Sequence, residues 1–193
     1  AFVQSGGSYM YTTTEKTFTA IANHANKQEI EYLANRYIIQ GSDGLFNPNQ
    51  SITRAQFAAM IARALGVTAS QKTSFTDIQG QWYEQDVQAL FEVGIVNGTT
   101  KTTFNPTAPL TRQHAAAMMA RVLRYAGLEQ PNSYTLTYED ANLIGKDYVA
   151  DIAWLHALNI MSGSNGNFYP KNNLTRAQMA KILKRTLNTA KIM

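Results

Sequence analysis

Apolar residues recur in three stretches of the chain at the spacing of an amphipathic helix. Counted from Thr53, Thr111 and Thr175, they lie at offsets four, seven, eight, eleven and twelve, as a helical period near 3.6 residues requires. Thr186 is the one polar residue at these positions. The pattern predicts three helices that each bury one face, formed by Phe57, Met60, Ile61, Ala64 and Leu65; by Ala115, Met118, Met119, Val122 and Leu123; and by Met179, Ile182, Leu183 and Leu187.

Another amphipathic segment precedes each of these helices. Residues 27–39, 83–96 and 148–161 carry apolar side chains at helical spacing, and we predict a helix over each range. The chain is therefore predicted to contain three copies of a helix-loop-helix unit, and the expected fold class is mainly all-α.

The loop inside each unit also repeats. It starts at a glycine and contains a Phe-x-Pro turn whose Phe lies seven positions before the Thr. The glycines are Gly41, Gly98 and Gly163, and the turns are residues 46–48, 104–106 and 168–170. Three matches at one spacing indicate an internal sequence repeat.

The threonines after these turns have the position of helix N-caps. Gln56 and Gln178 lie three residues after Thr53 and Thr175, where a Gln completes a capping box. Thr111 is followed instead by Gln113 and His114. We therefore expect caps at all three helices and a capping box at two of them.

The repeats define the predicted domain organisation. Residues 1–17 form a polar N-terminal segment, and the repeats cover residues 18–68, 75–128 and 138–190. A repeat of this size buries only about 60% of its surface and is marginal alone. We therefore expect one structural domain in which three repeats share a core.

Composition narrows the possible functions. The chain has 45% hydrophobic residues, no cysteine and a net charge of +4. A packed core is therefore expected, disulfides and thiolate metal sites are excluded, and an anionic partner is favoured. No cofactor, metal site or membrane insertion is expected, and any secretion signal is expected outside these residues.

The repeated order of Gly, Phe-x-Pro and Leu/Ile-Thr-Arg-Ala-Gln resembles the S-layer homology family over about residues 18–190. The resemblance implies a pseudo-threefold assembly of three repeats, with the first helices in a central bundle and grooves between neighbours. It also implies non-covalent binding of a secondary cell wall polymer of Gram-positive bacteria, through N-acetylmannosamine bearing a pyruvate ketal. The Arg of each motif, Arg54, Arg112 and Arg176, is then the residue that meets the carboxylate.

Departures from the family pattern single out two places. The second motif has Gln113 and His114 in place of the small residue and the Glu or Gln, so its groove is the least secure. The first repeat has Ala20 where the others have Asp77 and Asp140, and the segment 24–26 lacks the family's aromatic residue.

An arginine in the first helical turn is electrostatically unfavourable by about 0.3–1 kcal/mol, because it faces the positive end of the helix dipole. A carboxylate held by the guanidinium and the free amides compensates for that cost. The alternative is that each Arg pairs with an acid of its own chain, such as Asp77 or Asp140. Arg63, Arg121 and Arg185 also recur, and we interpret them as structural residues of the last helical turns.

Secondary ligand-binding candidates are the loop glycines Gly41, Gly98 and Gly163 and the aromatic residues Trp82, Tyr83, Tyr148 and Trp154. An aromatic ring can stack on a sugar, but on an amphipathic helix it more often belongs to the core.

No nucleophile elbow, phosphate loop or zinc motif is visible in the sequence, so an enzyme is not expected. The cations are dispersed along the chain, which disfavours a nucleic-acid partner. We expect a monomeric module, fused to or part of a larger surface protein, that binds an anionic cell-wall polysaccharide outside the cell. The alternative is a protein-interaction or self-assembly module of a surface layer without direct glycan binding.

Overall fold

The computed structural model describes residues 16–41, 45–133 and 135–193. It contains α1 (Lys27–Ala34), α2 (Arg54–Leu65), α3 (Glu84–Glu92), α4 (Arg112–Tyr125), α5 (Val149–Ala157) and α6 (Arg176–Thr189), with no β-strand in these ranges. The prediction of a mainly all-α fold is confirmed. The predicted polar segment 1–17 lies outside the described residues except for its last two positions.

The second helix of each repeat starts at the predicted threonine. The Thr53 hydroxyl accepts a hydrogen bond from the Gln56 amide at 3.2 Å, and the Gln56 side chain accepts one from the Thr53 amide at 3.1 Å. Thr175 and Gln178 form the same capping box. At α4 the Thr111 hydroxyl accepts only from the His114 amide, so both sequence expectations are confirmed.

The first helix of each repeat is shorter than predicted. Helices α1, α3 and α5 end at Ala34, Glu92 and Ala157, whereas the apolar pattern predicts ends at residues 39, 96 and 161. A left-handed residue follows each helix at Tyr37, Gly94 and Asn159, with φ of 58°, 74° and 55°. The prediction of the ends was wrong because that backbone conformation stops the helix, while the apolar residues beyond it still enter the core.

An equivalent backbone hydrogen bond recurs in the chain reversal after each first helix. The amides of Ile38, Ile95 and Ile160 donate to the carbonyls of Leu33, Leu90 and Leu155 at 2.8–3.0 Å. These bonds satisfy carbonyl groups at the helix end, and they direct the buried isoleucines inward.

The three repeats meet in a closed ring of backbone hydrogen bonds. The Ile52 amide donates to the Leu174 carbonyl, the Leu174 amide to the Leu110 carbonyl, and the Leu110 amide to the Ile52 carbonyl, each at 2.9 Å. All three side chains are fully buried. Because each repeat contributes one equal member, the ring supports the pseudo-threefold arrangement, which stays a prediction.

Helix packing follows the same cyclic order. Helix α2 packs against α3, α4 against α5, and α6 against α1, while α2 and α4 each contact α6. Each first helix therefore packs on the second helix of a neighbouring repeat, and the contacts between equivalent helices are those of α6 with α2 and α4. The expectation that the first helices form the central bundle was wrong. The second helices carry small buried residues that permit a close approach, namely Ala58, Ala62, Ala116, Ala120 and Ala180.

The loop glycines are required by close packing. A Cβ atom on Gly98 would lie 2.3 Å from the Thr100 carbonyl oxygen and 2.5 Å from the Phe75 ring. On Gly163 it would lie 2.0 Å from the Asn167 carbonyl oxygen. Neither backbone oxygen can give way, so these positions have a structural reason to be glycine.

Two of the Phe-x-Pro turns are anchored by a carboxylate. Asp77 accepts hydrogen bonds from the amides of Phe104 and Asn105 at 2.7–3.1 Å. Asp140 accepts from Phe168 and Tyr169 at 2.8 and 2.7 Å. Because an unpaired buried amide is costly, these carboxylates fix the Phe-x-Pro turns of the second and third repeats.

We predict that Asp140→Ala destabilises the domain by about 2 kcal/mol, since two amides of the turn lose a charged acceptor. Urea unfolding monitored by circular dichroism measures the change. Asp147→Ala is the matched control, because Asp147 is exposed and should leave the free energy of unfolding unchanged. Equal stabilities of the two variants would contradict the anchoring role.

Candidate ligand grooves between repeats

Arg54 connects the first repeat to the second. Its Nε donates to the Phe104 carbonyl at 3.0 Å and its Nη2 to the Asn97 carbonyl at 3.1 Å. The guanidinium carbon lies 4.7 Å from the centre of the Phe104 ring. The position at the start of α2 therefore places a planar cation against the loop of the neighbouring repeat.

Arg112 and Arg176 make equivalent contacts. Arg112 donates from Nε to the Phe168 carbonyl and from Nη2 to the Ser162 carbonyl, both at 2.8 Å. Arg176 donates from Nε to the Phe46 carbonyl at 2.7 Å. The contacts run from repeat one to two, two to three and three to one, so every boundary between repeats contains one of the predicted site arginines.

These carbonyl contacts correct two parts of the sequence argument. Carbonyl oxygens of the next repeat offset the unfavourable helix dipole, so no external anion is needed to explain an arginine there. The proposed pairing with Asp77 or Asp140 is not formed: within the described ranges, no carboxylate lies within salt-bridge distance of Arg54, Arg112 or Arg176.

The arginines nevertheless keep capacity to bind an anion. A guanidinium has five N–H donors, and Arg54 and Arg112 each use two on the backbone carbonyls of the described residues. Burial lowers the pKa of Arg54, Arg112 and Arg176, yet arginine remains charged in proteins. A fixed, desolvated cation with spare donors is suited to a carboxylate.

Each of the three arginines lines a groove between repeats. The Trp82 groove is lined by Arg176, Gln40, Gly41, Leu45, Phe46, Asn47, Gln50, Gln56, Met60, Arg63 and Trp82. The Tyr148 groove is lined by Arg54, Val96, Asn97, Gly98, Thr99, His114, Ala117, Met118, Arg121 and Tyr148. The Lys181 groove is lined by Arg112, Ile160, Met161, Ser162, Gly163, Ser164, Tyr169, Asn172, Asn173, Gln178, Lys181, Ile182 and Arg185.

The grooves have similar sizes. Their volumes are about 380 Å³ for the Trp82 groove, 340 Å³ for the Tyr148 groove and 430 Å³ for the Lys181 groove. These volumes lie at the lower end of the range for small-molecule sites. Each groove contains one of the loop glycines, so the structure brings the predicted arginines and glycines together.

The predicted aromatic residues divide into two groups. Trp82 is 62% exposed and lines its groove, and Tyr148 lines another. Tyr83 and Trp154 are only 8% and 3% exposed and belong to the core. Of these four predicted residues, only Trp82 and Tyr148 therefore offer a ring to a molecule in a groove; Tyr169, which was not predicted, lines the Lys181 groove.

Each groove contains a second arginine, which was not predicted as a site residue from the sequence. Arg63, Arg121 and Arg185 follow the capping threonines by ten residues and line the three grooves. Only Arg63 lies in a last helical turn, so the assignment of the other two to that turn was wrong. The helical spacing from Gln56 through Met60 to Arg63 could have shown that they share the face of the capping residue.

His114 distinguishes the Tyr148 groove. Its ring packs edge-to-face against Tyr148 with centroids 5.3 Å apart. Burial, then the positive charges of Arg54 and Lys171, lower the pKa of His114 below its ordinary value of 6.5. At neutral pH the imidazole is therefore uncharged, in the position that Gln56 and Gln178 occupy elsewhere.

The described residues offer neither a metal site nor a membrane span. The described residues contain no cluster of His, Asp or Glu that could hold a metal ion. None of the described helices is long and apolar enough to cross a bilayer.

The chain matches a family model described as "S-layer homology domain" at residues 17–58, 74–116 and 137–180. The matches coincide with the three sequence repeats, and each ends within the helix that a capping threonine starts. Together they cover most of the chain.

Curated relatives carry the same segment. The chain is 30% identical over 177 residues to "S-layer protein sap" of Bacillus anthracis, which covers 89% of this chain and 21% of that protein. It is 33% identical over 177 residues to an "Amylopullulanase" of Thermoanaerobacterium thermosulfurigenes (88% and 9%). It is 35% identical over 158 residues to an "Endoglucanase" of Bacillus sp. strain KSM-635 (80% and 17%). The chain thus spans about a fifth or less of these relatives.

We predict that His114→Gln stabilises the domain by about 0.5–1 kcal/mol at neutral pH, because Gln can complete the capping box at Thr111. It should also remove a pH dependence. The folded-state pKa of His114 lies below 6.5, so its contribution is intact above that pH and is lost as the pH falls toward the lower folded value.

Urea unfolding of both proteins at neutral and mildly acidic pH measures these effects. The carboxylates titrate in both proteins, so their contribution to the pH dependence of stability cancels when the two proteins are compared. A stability difference that does not widen on acidification would contradict the assignment to His114.

Proposed function

The chain belongs to the S-layer homology domain family, and we propose that it is a non-catalytic module that anchors a larger exported protein to an anionic polymer of the wall. Its location is the extracellular cell wall or S-layer of a bacterium. The relatives named as enzymes share only a small part of their length with it, which supports an anchoring segment separate from their catalytic parts.

The proposed ligand is the pyruvylated N-acetylmannosamine of a secondary cell wall polymer. The observation that carries this proposal is the desolvated guanidinium of Arg54, Arg112 or Arg176 at the wall of each groove. Backbone carbonyls hold Nε in place, so the remaining N–H donors form a prearranged fork for the ketal carboxylate.

The neutral face of the sugar requires a different surface. Trp82 and Tyr148 each line a groove together with the arginine, and each belongs to the repeat that follows the groove loop. A ring in that position can cover the apolar face of a pyranose while the arginine holds its carboxylate. Each of these two grooves then combines residues from all three repeats, which supports the intact domain as the binding unit.

Several grooves on one domain strengthen attachment to a repetitive polymer. When one saccharide unit of the polymer is bound in a groove, the next unit of the same polymer molecule reaches a second groove at a raised effective concentration. Weak individual sites therefore suffice for stable anchoring.

We predict that Arg54→Ala and Arg54→Lys both weaken the Tyr148 groove for a pyruvylated disaccharide by about 10- to 100-fold, because Lys lacks the planar fork. Isothermal titration calorimetry should show one binding site lost in each variant. The pyruvate-free disaccharide should bind the wild type weakly, and Arg36→Ala is the matched control, since Arg36 stacks on Tyr32 and lines no groove.

Circular dichroism separates loss of binding from loss of fold, because Arg54 also joins two repeats. Wild-type affinity in a folded Arg54→Lys variant would refute the fork. Equal affinity for the two disaccharides would refute pyruvate as the recognised group, and binding of neither would favour a protein-interaction module.

We predict that Trp82→Ala weakens the Trp82 groove by about 2- to 10-fold, the worth of one aromatic stacking contact. The same titration measures it, and quenching of Trp82 fluorescence in the wild type reports the contact directly. Tyr37→Ala is the control, since Tyr37 is 75% exposed and lines none of the grooves. A loss in the control equal to that in Trp82→Ala would show that the effect is not local.

A further inference from the structure

The three grooves differ in charge. Each has an arginine from the preceding repeat and another from its own second helix. Only the groove formed by α6 adds a lysine, Lys181, six residues after the capping threonine. Ala59 and Ala117 occupy that position on α2 and α4. The sequence of the third repeat therefore places an additional cation where the other repeats have a methyl group.

The other two grooves carry less positive charge. In the Trp82 groove, Arg63 Nη2 lies 3.8 Å from the Asp86 carboxylate. In the Tyr148 groove the extra titratable group is His114, whose lowered pKa keeps it neutral at neutral pH. Asp77 lies near Arg54 and Asp140 lies near Arg112. The Tyr148 groove and the Lys181 groove therefore each have one carboxylate near their arginine, and this carboxylate does not distinguish them.

The Lys181 groove has three cations in its lining. Arg112, Lys181 and Arg185 line it, whereas each of the other two grooves is lined by two arginines. Within the described residues Arg185 donates only to the Asn159 carbonyl, at 2.9 Å. Three cations around one cavity of about 430 Å³ repel one another, and a single negative charge does not balance them.

Polar residues complete the lining of this groove. They include Asn172 and Asn173, the serines Ser162 and Ser164, and Tyr169. The groove therefore offers hydrogen-bond donors beside its three cations, and its aromatic residue, Tyr169, itself carries a hydroxyl.

We infer that the Lys181 groove binds a saccharide unit bearing a dianionic group, of which a sugar phosphomonoester is the simplest form, and that Lys181 sets this preference. A phosphomonoester carries about −1.5 to −2 charges at pH 7 and three acceptor oxygens. Arginine can hold two of these oxygens as a fork, and a lysine ammonium meets the third as a point charge. This inference rests on the proposed glycan-binding function and divides the ligands among its grooves.

The test uses the full chain and two probes, N-acetylmannosamine 6-phosphate and the monoanionic pyruvylated disaccharide. Nuclear magnetic resonance resolves the sites through the backbone amides of Gly163 and Ser164 for the Lys181 groove and of Gly98 and Thr99 for the Tyr148 groove. The phosphate probe should bind the Lys181 groove about tenfold more tightly than the Tyr148 groove, the effect of one additional charge-assisted hydrogen bond.

Lys181→Gln should abolish that difference and leave binding of the disaccharide at the Tyr148 groove unchanged. Lys184→Gln is the matched control on the same helix, since Lys184 lies 4.7 Å from the Tyr32 ring centre and lines no groove. Ala117→Lys is the reciprocal variant, and in folded protein it should raise phosphate affinity at the Tyr148 groove.

Equal affinity of the phosphate probe for both grooves, or an unchanged affinity in Lys181→Gln, would overturn the inference. If the disaccharide still binds in that case, the anchoring proposal stands without it. If neither probe binds, the anchoring proposal fails as well. Inorganic phosphate that binds as tightly as the sugar phosphate would overturn the saccharide part.

Discussion

The structure depends on one contact made three times: an arginine in the first turn of a helix donates to the carbonyl groups of the next repeat. The Nε bonds of Arg54, Arg112 and Arg176 are 2.7–3.0 Å long, and each guanidinium lies over a phenylalanine ring at 4.7–4.8 Å. Because the next repeat makes the same contact in turn, the chain closes on itself. A repeat of this size buries too little surface to be stable alone. The arginine contacts that join the repeats therefore stabilise the domain, and the same arginines line the grooves.

The same contact accounts for the position of the grooves. The arginine must cross a boundary between repeats to reach its carbonyl partners, and its unused donors then lie at that boundary. The loop glycines allow each loop to lie close to an aromatic ring of its own repeat, as Gly98 lies close to Phe75. This close packing keeps the groove wall in place. A cation fixed in this way loses little conformational freedom when an anion binds. The grooves differ in their linings, which include Trp82, Tyr148 or Tyr169, and in the lysine at residue 181.

The extent to which sequence predicted this structure depends on how local each feature is. The capping boxes at Thr53 and Thr175 and the buried stripes were predictable, because they depend on neighbours within a few positions. The ends of α1, α3 and α5 were not, because Tyr37 and Asn159 adopt a left-handed backbone that their residue types do not require. The role of Arg54 was only half predictable: its partners, the carbonyls of Phe104 and Asn97, belong to the backbone of another repeat, and backbone atoms leave no pattern in the sequence.

The central claim is that the arginines hold the repeats with Nε and receive the carboxylate with their remaining donors. Nuclear magnetic resonance of the arginine side-chain nitrogens during titration with a pyruvylated disaccharide tests it most directly. The account predicts that the Nη resonances of Arg54 and Arg176 shift and that their proton exchange slows, while the Nε resonances, already bonded to carbonyls, stay in place. Binding of the disaccharide with no change at any of these Nη groups would contradict it.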